Sequence, residues 1–223
     1  LARFGGAGGF RREGAEIARP DGGRVAAEGG GVGALGRLVQ EDFLLLTPGA
    51  DGAPRLTAAA LCFPSRWALG EKLGRPLDEI HAPAPGYAGR LSAGVDRVFA
   101  ALHPERPLQR LNFGVIDTDA LHLPDARARA PLAPGADPAT LQSWLRVERQ
   151  TLRRLPETRA AVFSVKTYLT PVAALAPGAA AALRAHVAAL SPAEIAYRGG
   201  AARQRAALAA LARRAAAADA QPD

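Results

Sequence analysis

A chain of 223 residues that is 48% hydrophobic and 22% charged carries enough apolar side chain for one core of ordinary size plus appendages. Its net charge of +7 raises an anionic partner. Lys72 and Lys166 are the only lysines, however, the arginines are scattered among Ala and Gly, and no RNA-recognition, zinc-finger or basic-zipper pattern occurs, so nucleic acid is not the expected partner. With Cys62 as the single cysteine there is no internal disulfide and no cysteine-held cluster, and no run of about 18 apolar residues is present to span a bilayer; a cytoplasmic protein without membrane partners is expected.

The chain opens at Leu1 and holds no Met, so a natural beginning further upstream is expected. Residues 1–36, with "GGAGG" and "EGGGVGALG", are rich in glycine and poor in apolar periodicity, and read as a loop, remnant or disordered segment. Gly31, Gly33 and Gly36 match the dinucleotide pattern GxGxxG, but so glycine-rich a stretch with no expected strand before it gives the match no weight. Order is expected from residue 37. The apolar run at residues 43–46 reads as a strand stopped by Pro48 and Gly49, and residues 55–63 as its hairpin partner around "PGADG". "SRWALGEKLG" follows as a short helix with Ser65 as N-cap.

In "DEIHAPAPGY", residues 78–87, Pro83 and Pro85 are expected to hold Ala82 and Ala84 extended, so that His81 stands where a segment stops. A neutral imidazole so fixed suits an axial metal ligand, a general base or a satisfied structural group. "YAGRLSAGVDRVFAAL" then places Leu91, Val95, Val98, Phe99 and Leu102 on one helical face. Residues 111–116 and 160–169 read as strands, and residues 129–140 as a loop. "LRVERQTLRRLPET", residues 145–158, has the composition of a helix and the position of a hairpin arm. Read as a strand, it puts Arg146, Glu148 and Gln150 on one face and Arg149 and Thr151 on the other. The Ala-rich last third reads as helices packed on a sheet.

"EDFLLLTPGADGAPRLTAAALCFPSRW", "EKLGRPLDEIHAPAPGY", "RLNFGVI", "LRVERQTLRRLPET", "VFSVKTYLTP" and "EIAYRGG" together resemble successive blocks of the haem-dependent oxidative N-demethylases, the haem subunits of dimethylamine monooxygenase-like proteins. The resemblance departs at Ala84, Phe113 and Arg198, where the family usually has Val, Trp and Lys. It implies an α+β fold with a PAS-like antiparallel sheet, flanking helices and an Ala-rich helical C-terminus. It divides the chain into a remnant at 1–36, a haem-binding domain at 37–200 and a C-terminal helix and tail at 201–223. It also implies haem b, and oxidation of a small secondary amine with O2 to formaldehyde. The electrons would come from NAD(P)H through separate flavin and iron–sulfur reductase or ferredoxin-type subunits, since one cysteine cannot hold a cluster.

On this resemblance His81 is the expected iron ligand, ahead of His103, His122 and His186, which stand in poorer blocks. Cys62 competes as a thiolate ligand, although "ALCFP" reads as core packing. Arg149, Glu148 and Tyr168 are the expected catalytic residues around the bound oxygen and amine, with Tyr87, Asn112 and Arg146 lining the cofactor pocket. The competing reading of Glu148 and the arginines is a charged strand edge that pairs with itself, and the competing function is a non-catalytic haem-binding PAS-type sensor or a family member that has lost its activity.

Overall fold

In the computed structural model, which describes residues 7–27, 29, 31–87, 91–124, 137 and 141–217, two antiparallel sheets carry the strands. The glycine-rich opening is not bare loop. Its strands β1 (Arg11–Glu13), β2 (Glu16–Ala18) and β3 (Arg24–Ala26) pair in sequence order, with Ala18 and Val25 buried. Strands of three residues are too short for alternation to show, which is why the sequence hides them. Helix α1 (Gly31–Leu38) follows and contains all three glycines of the GxGxxG match, whereas a phosphate-binding fingerprint needs the first in the turn before the helix. A Cβ on Gly36 would lie 3.0 Å from Cys62 Sγ and 3.2 Å from Ala60 Cβ. That glycine is there for close packing.

The main sheet has five strands: β4 (Asp42–Pro48), β5 (Pro54–Ala60), β6 (Leu108–Ile116), β7 (Trp144–Arg154) and β8 (Ala161–Pro171), in the spatial order β5-β4-β8-β7-β6. The β4–β5 hairpin closes as expected around "PGADG", where Ala53 N–H donates to Asp51 Oδ1 and Gly49 N–H to the Ala53 carbonyl. Residues 144–154 form a strand: the β-formers of β8 offer it a full eleven-residue partner, and this tertiary pairing overrides its helix-compatible composition.

Because side chains alternate across a strand, the register sorts them into rows on two faces. On the front face, Arg154, Ala161, Leu46 and Leu56 form one row and Leu108, Leu152, Phe163, Leu44 and Ala59 the next. Helices α2 (Leu77–His81) and α3 (Ser92–Ala101) roof these apolar rows, with Leu77, Val95, Phe99 and Leu102 packed on Leu44, Leu46, Leu152 and Phe163. Of the expected α3 face, Leu91 and Val98 stay exposed at 55% and 39%: the stripe is narrower than its periodicity implies.

Segment 65–74 is not a helix but a loop with one 3-10 turn at Leu69–Glu71. Ser65 bridges to Leu123 rather than capping. Arg66, at φ 65°, turns its N–H onto the Leu123 carbonyl at 2.6 Å, which no helical start allows. On the back face, α4 (Pro177–Ala188), α5 (Pro192–Tyr197) and α6 (Ala201–Ala216) cover one end of the sheet. Pro177 and Pro192 stand in the first turns of α4 and α5, and Ser191 and Glu194 cap α5 reciprocally. The small face Ala206, Ala207, Ala210 and Leu211 lets α6 pack closely with Val187, Val172 and the sheet residues Val115 and Leu145. The loop expected at 129–140 lies outside the described residues apart from Asp137. No helix among the described residues is long and apolar enough to cross a membrane.

Candidate functional site

Beyond the two apolar rows the front face turns polar. Arg110, Gln150, Val165 and Asp42 form the third row, Asn112, Glu148 and Thr167 the fourth, and Gly114, Arg146 and Leu169 the fifth. Asp42, Arg146, Gln150 and Thr167 are buried. Their hydrogen bonds join into one ribbon. Arg110 Nε donates to Gln150 Oε1 at 2.6 Å, and Gln150 Nε2 donates to Glu148 Oε2 at 3.0 Å. Asn112 Nδ2 donates to the same oxygen at 3.3 Å, and Arg146 Nε to Glu148 Oε1 at 3.3 Å. Among the described residues Glu148 thus holds three donors of the roughly four that a carboxylate accepts, which leaves one lone-pair position open.

Arg146, 4% exposed, also fastens the far wall: its Nη2 donates to the Phe63 carbonyl at 2.7 Å and to Thr167 Oγ1 at 3.2 Å, and its Nη1 to the Leu121 carbonyl at 3.3 Å. Asp42 holds the same wall, accepting from Cys62 N–H at 2.6 Å and Phe63 N–H at 2.8 Å on Oδ1. Burial pushes the Asp42 carboxyl above the usual carboxylate range, against the lowering by those two N–H groups and by Arg146. A Cβ on Gly114 would lie 2.9 Å from Arg198 Nη1, so this glycine leaves room for a guanidinium that reaches round the β6 edge to the front face.

His81 is the last residue of α2. Its Nδ1 lies 2.9 Å from the Leu77 carbonyl, and a carbonyl only accepts, so Nδ1 carries the proton and the neutral ring presents the Nε2 lone pair. Ala82 is not extended as expected but helical, at φ −48° and ψ −36°. The turn bond from Ala84 N–H to the His81 carbonyl, at 2.8 Å, offsets the crowding before Pro83 and swings the chain back until Tyr87 stacks on the imidazole. The two rings are 4.7 Å apart and 15° from parallel. Burial, with the charges of Lys72 and Arg110 adding to it, holds His81 below the usual histidine range against the Leu77 carbonyl and Asp78. Tyr87, 5% exposed, leaves its buried hydroxyl without a hydrogen-bond partner among the described residues.

The expected residues therefore divide. His81, Tyr87, Asn112, Arg146 and Glu148 belong to the front side, whereas Arg149 and Tyr168 stand on the back face in the rows Leu111–Arg149–Lys166 and Phe113–Val147–Tyr168. Arg149 pairs there with Glu41 at 3.2 Å, and Tyr168 is 43% exposed beneath Lys166. The alternation of β7 and β8 thus places Arg149 and Tyr168 on the face opposite Glu148, with which they were expected to act around the bound oxygen and amine. Cys62 is packed under Gly36, and burial followed by the Asp42 charge pushes its thiol up, away from thiolate. His103 Nδ1 accepts from Glu105 N–H, His122 Nδ1 bonds the Cys62 carbonyl, and His186 leans on Phe113 behind the sheet. Gln150 shares the predicted face of β7, while Arg110, Asp42 and Thr167 join the site only through strand register, which local sequence does not carry.

A comparison with curated proteins gives no match. The sequence profile of the family described as haem-dependent oxidative N-demethylase, alpha subunit-like, matches residues 30–208, a span that takes in α1, the whole main sheet, His81 and the Glu148 ribbon. The chain belongs to that family.

Proposed function

We propose that this chain is the haem b-bearing subunit of a monooxygenase that removes a methyl group from a small secondary amine such as dimethylamine. The observation that carries the reading is His81: an imidazole with Nδ1 tied to a backbone carbonyl and no hydrogen bond at Nε2 among the described residues, over the sheet face that carries the polar ribbon, in a chain of a haem-dependent family. The strand order β5-β4-β8-β7-β6, which counted within the sheet is 2-1-5-4-3, supports the PAS-like description.

His81 would hold the haem iron through Nε2, a neutral nitrogen donor on a ring whose orientation the Leu77 carbonyl and the Tyr87 stack fix. When bound, haem would supply the activation of O2 and the acceptance of electrons. For dimethylamine the balance is amine plus O2, two electrons and two protons giving methylamine, formaldehyde and water. The electrons come from NAD(P)H through separate flavin and iron–sulfur reductase subunits. The protein's share is positioning. Leu77 fixes the His81 tautomer, Tyr87 fixes its ring plane, and the Lys72 and Arg110 charges oppose a second proton on the ring. Glu148, held by Arg146, Gln150 and Asn112, keeps one acceptor position for an N–H of the amine. Arg110 and Asn112 are exposed, so the ribbon is open to solvent at the β6 edge, where a small substrate enters.

The test is formaldehyde release by haem-loaded protein given dimethylamine, O2 and a reductase system. Formaldehyde and methylamine should form in equal amounts, and Glu148→Gln should raise KM about tenfold with the haem spectrum unchanged. A fully reducible haem protein that releases no formaldehyde from any small secondary amine would contradict the assignment.

A further inference from the structure

On the back face the helices leave a gap. Helix α1 packs by Gly36 on Ala60 at one side, and α4 and α6 cover Val115 and Leu145 at one end. Among the described residues, the rows Leu111–Arg149–Lys166 and Phe113–Val147–Tyr168 between them are only partly covered, His186 leaning on Phe113 and Glu41 pairing with Arg149, and Leu111, Phe113 and Tyr168 stay exposed at 64%, 39% and 43%. The solvated face of an antiparallel sheet is ordinarily polar, and clustered large apolar side chains there mark an interface.

Two features say what covers it. The patch is cationic: Lys166 Nζ stands 5.9 Å over the Tyr168 ring, and Arg149 is 41% exposed, with only Glu41 as its carboxylate among the described residues. A second copy of this chain, itself +7, would bring Lys166 and Arg149 against their like, whereas an acidic surface complements them. The patch is also the reverse side of the site, because Thr167 and Tyr168, like Glu148 and Arg149, are chain neighbours on opposite faces. Packed layers on a sheet are separated by about 10 Å, so a redox group seated here is one layer from the ribbon. We infer that this gap docks an acidic, electron-donating subunit. The inference rests on the oxygenase reading above, and agrees with the description of the family as an alpha subunit.

The test uses the full chain and, as probe, a plant-type [2Fe–2S] ferredoxin, whose surface is strongly acidic, titrated calorimetrically at low and high salt. Binding is expected, weakening about tenfold in about 0.5 M salt and about tenfold in each of Leu111→Glu and Lys166→Glu, with unchanged circular dichroism and Tm. No binding by the parent chain, or variants that bind like the parent, would overturn the inference. So would sedimentation showing a dimer that Leu111→Glu splits, since the patch would then belong to a second copy. Haem is not needed for this readout. A chain that binds ferredoxin but takes up no haem sinks the oxygenase reading and leaves the docking surface standing.

Discussion

Replacing Tyr87 by Phe should stabilise this protein. The ring of Tyr87 is 5% exposed and stacked on His81 at 4.7 Å, and Phe preserves both the packing and the stack. What it removes is a buried hydroxyl with no hydrogen-bond partner among the described residues, and an unsatisfied buried group of this kind costs about 1–3 kcal/mol. For a domain of this size each kcal/mol moves Tm by roughly 2–4 °C. The assay is urea and thermal unfolding of the haem-free protein at pH 8, where His81 is neutral, with Tyr87→Ala as control. Tyr87→Phe should gain about 1 kcal/mol or more, and Tyr87→Ala should lose about 3–5 kcal/mol by opening a cavity beside the imidazole. A Tyr87→Phe protein less stable than its parent would refute the reasoning, because the hydroxyl would then have a bond worth keeping.

Asp117 joins Arg66 at 2.6 Å and Arg203 at 2.7 Å, tying α6 to the wall loop. Burial pushes its carboxyl up, but the two guanidinium groups hold it below the usual range, so its contribution is complete above the unfolded carboxylate range and is lost as pH falls through the lowered folded value. Asp117→Ala should lose about 3 kcal/mol at pH 7 by urea unfolding and almost nothing at the acid end, and an equal loss at both would contradict the pairing. Asp42 runs the other way. With its carboxyl raised in the fold, its stability contribution is greatest below the unfolded range and falls as pH rises through the folded value, so the advantage of Asp42→Asn over the parent should grow from pH 4 to pH 8. A pH-independent difference would show that the carboxyl is not shifted.

Much of the sheet is legible locally. The β4–β5 hairpin announces itself through "PGADG" between apolar runs, and the alternation of residues 144–154 already separates Glu148 from Arg149. Which of those faces meets His81 is a different kind of fact. It depends on α2 lying over the rows of Leu44 and Leu46, a contact between segments about 30 residues apart, and no periodicity encodes it. The prolines after His81 misdirect a local reading, since they argue for extended chain where the Ala84 N–H closes a turn on the His81 carbonyl. The Asp117 clamp spans 51 residues to Arg66 and 86 to Arg203, so it becomes visible only when the fold is complete. The strand register puts Glu148 on the face of the sheet that α2 roofs and Arg149 and Tyr168 on the other.

Absorption spectra of haem-titrated protein in the ferric, ferrous and CO-bound states test whether His81 is the iron ligand. Stoichiometric haem with a histidine-type spectrum is expected in the parent and in His103→Ala, His122→Ala and His186→Ala, with loss of that spectrum in His81→Ala alone. Full haem loading of His81→Ala with an unchanged spectrum would contradict the assignment.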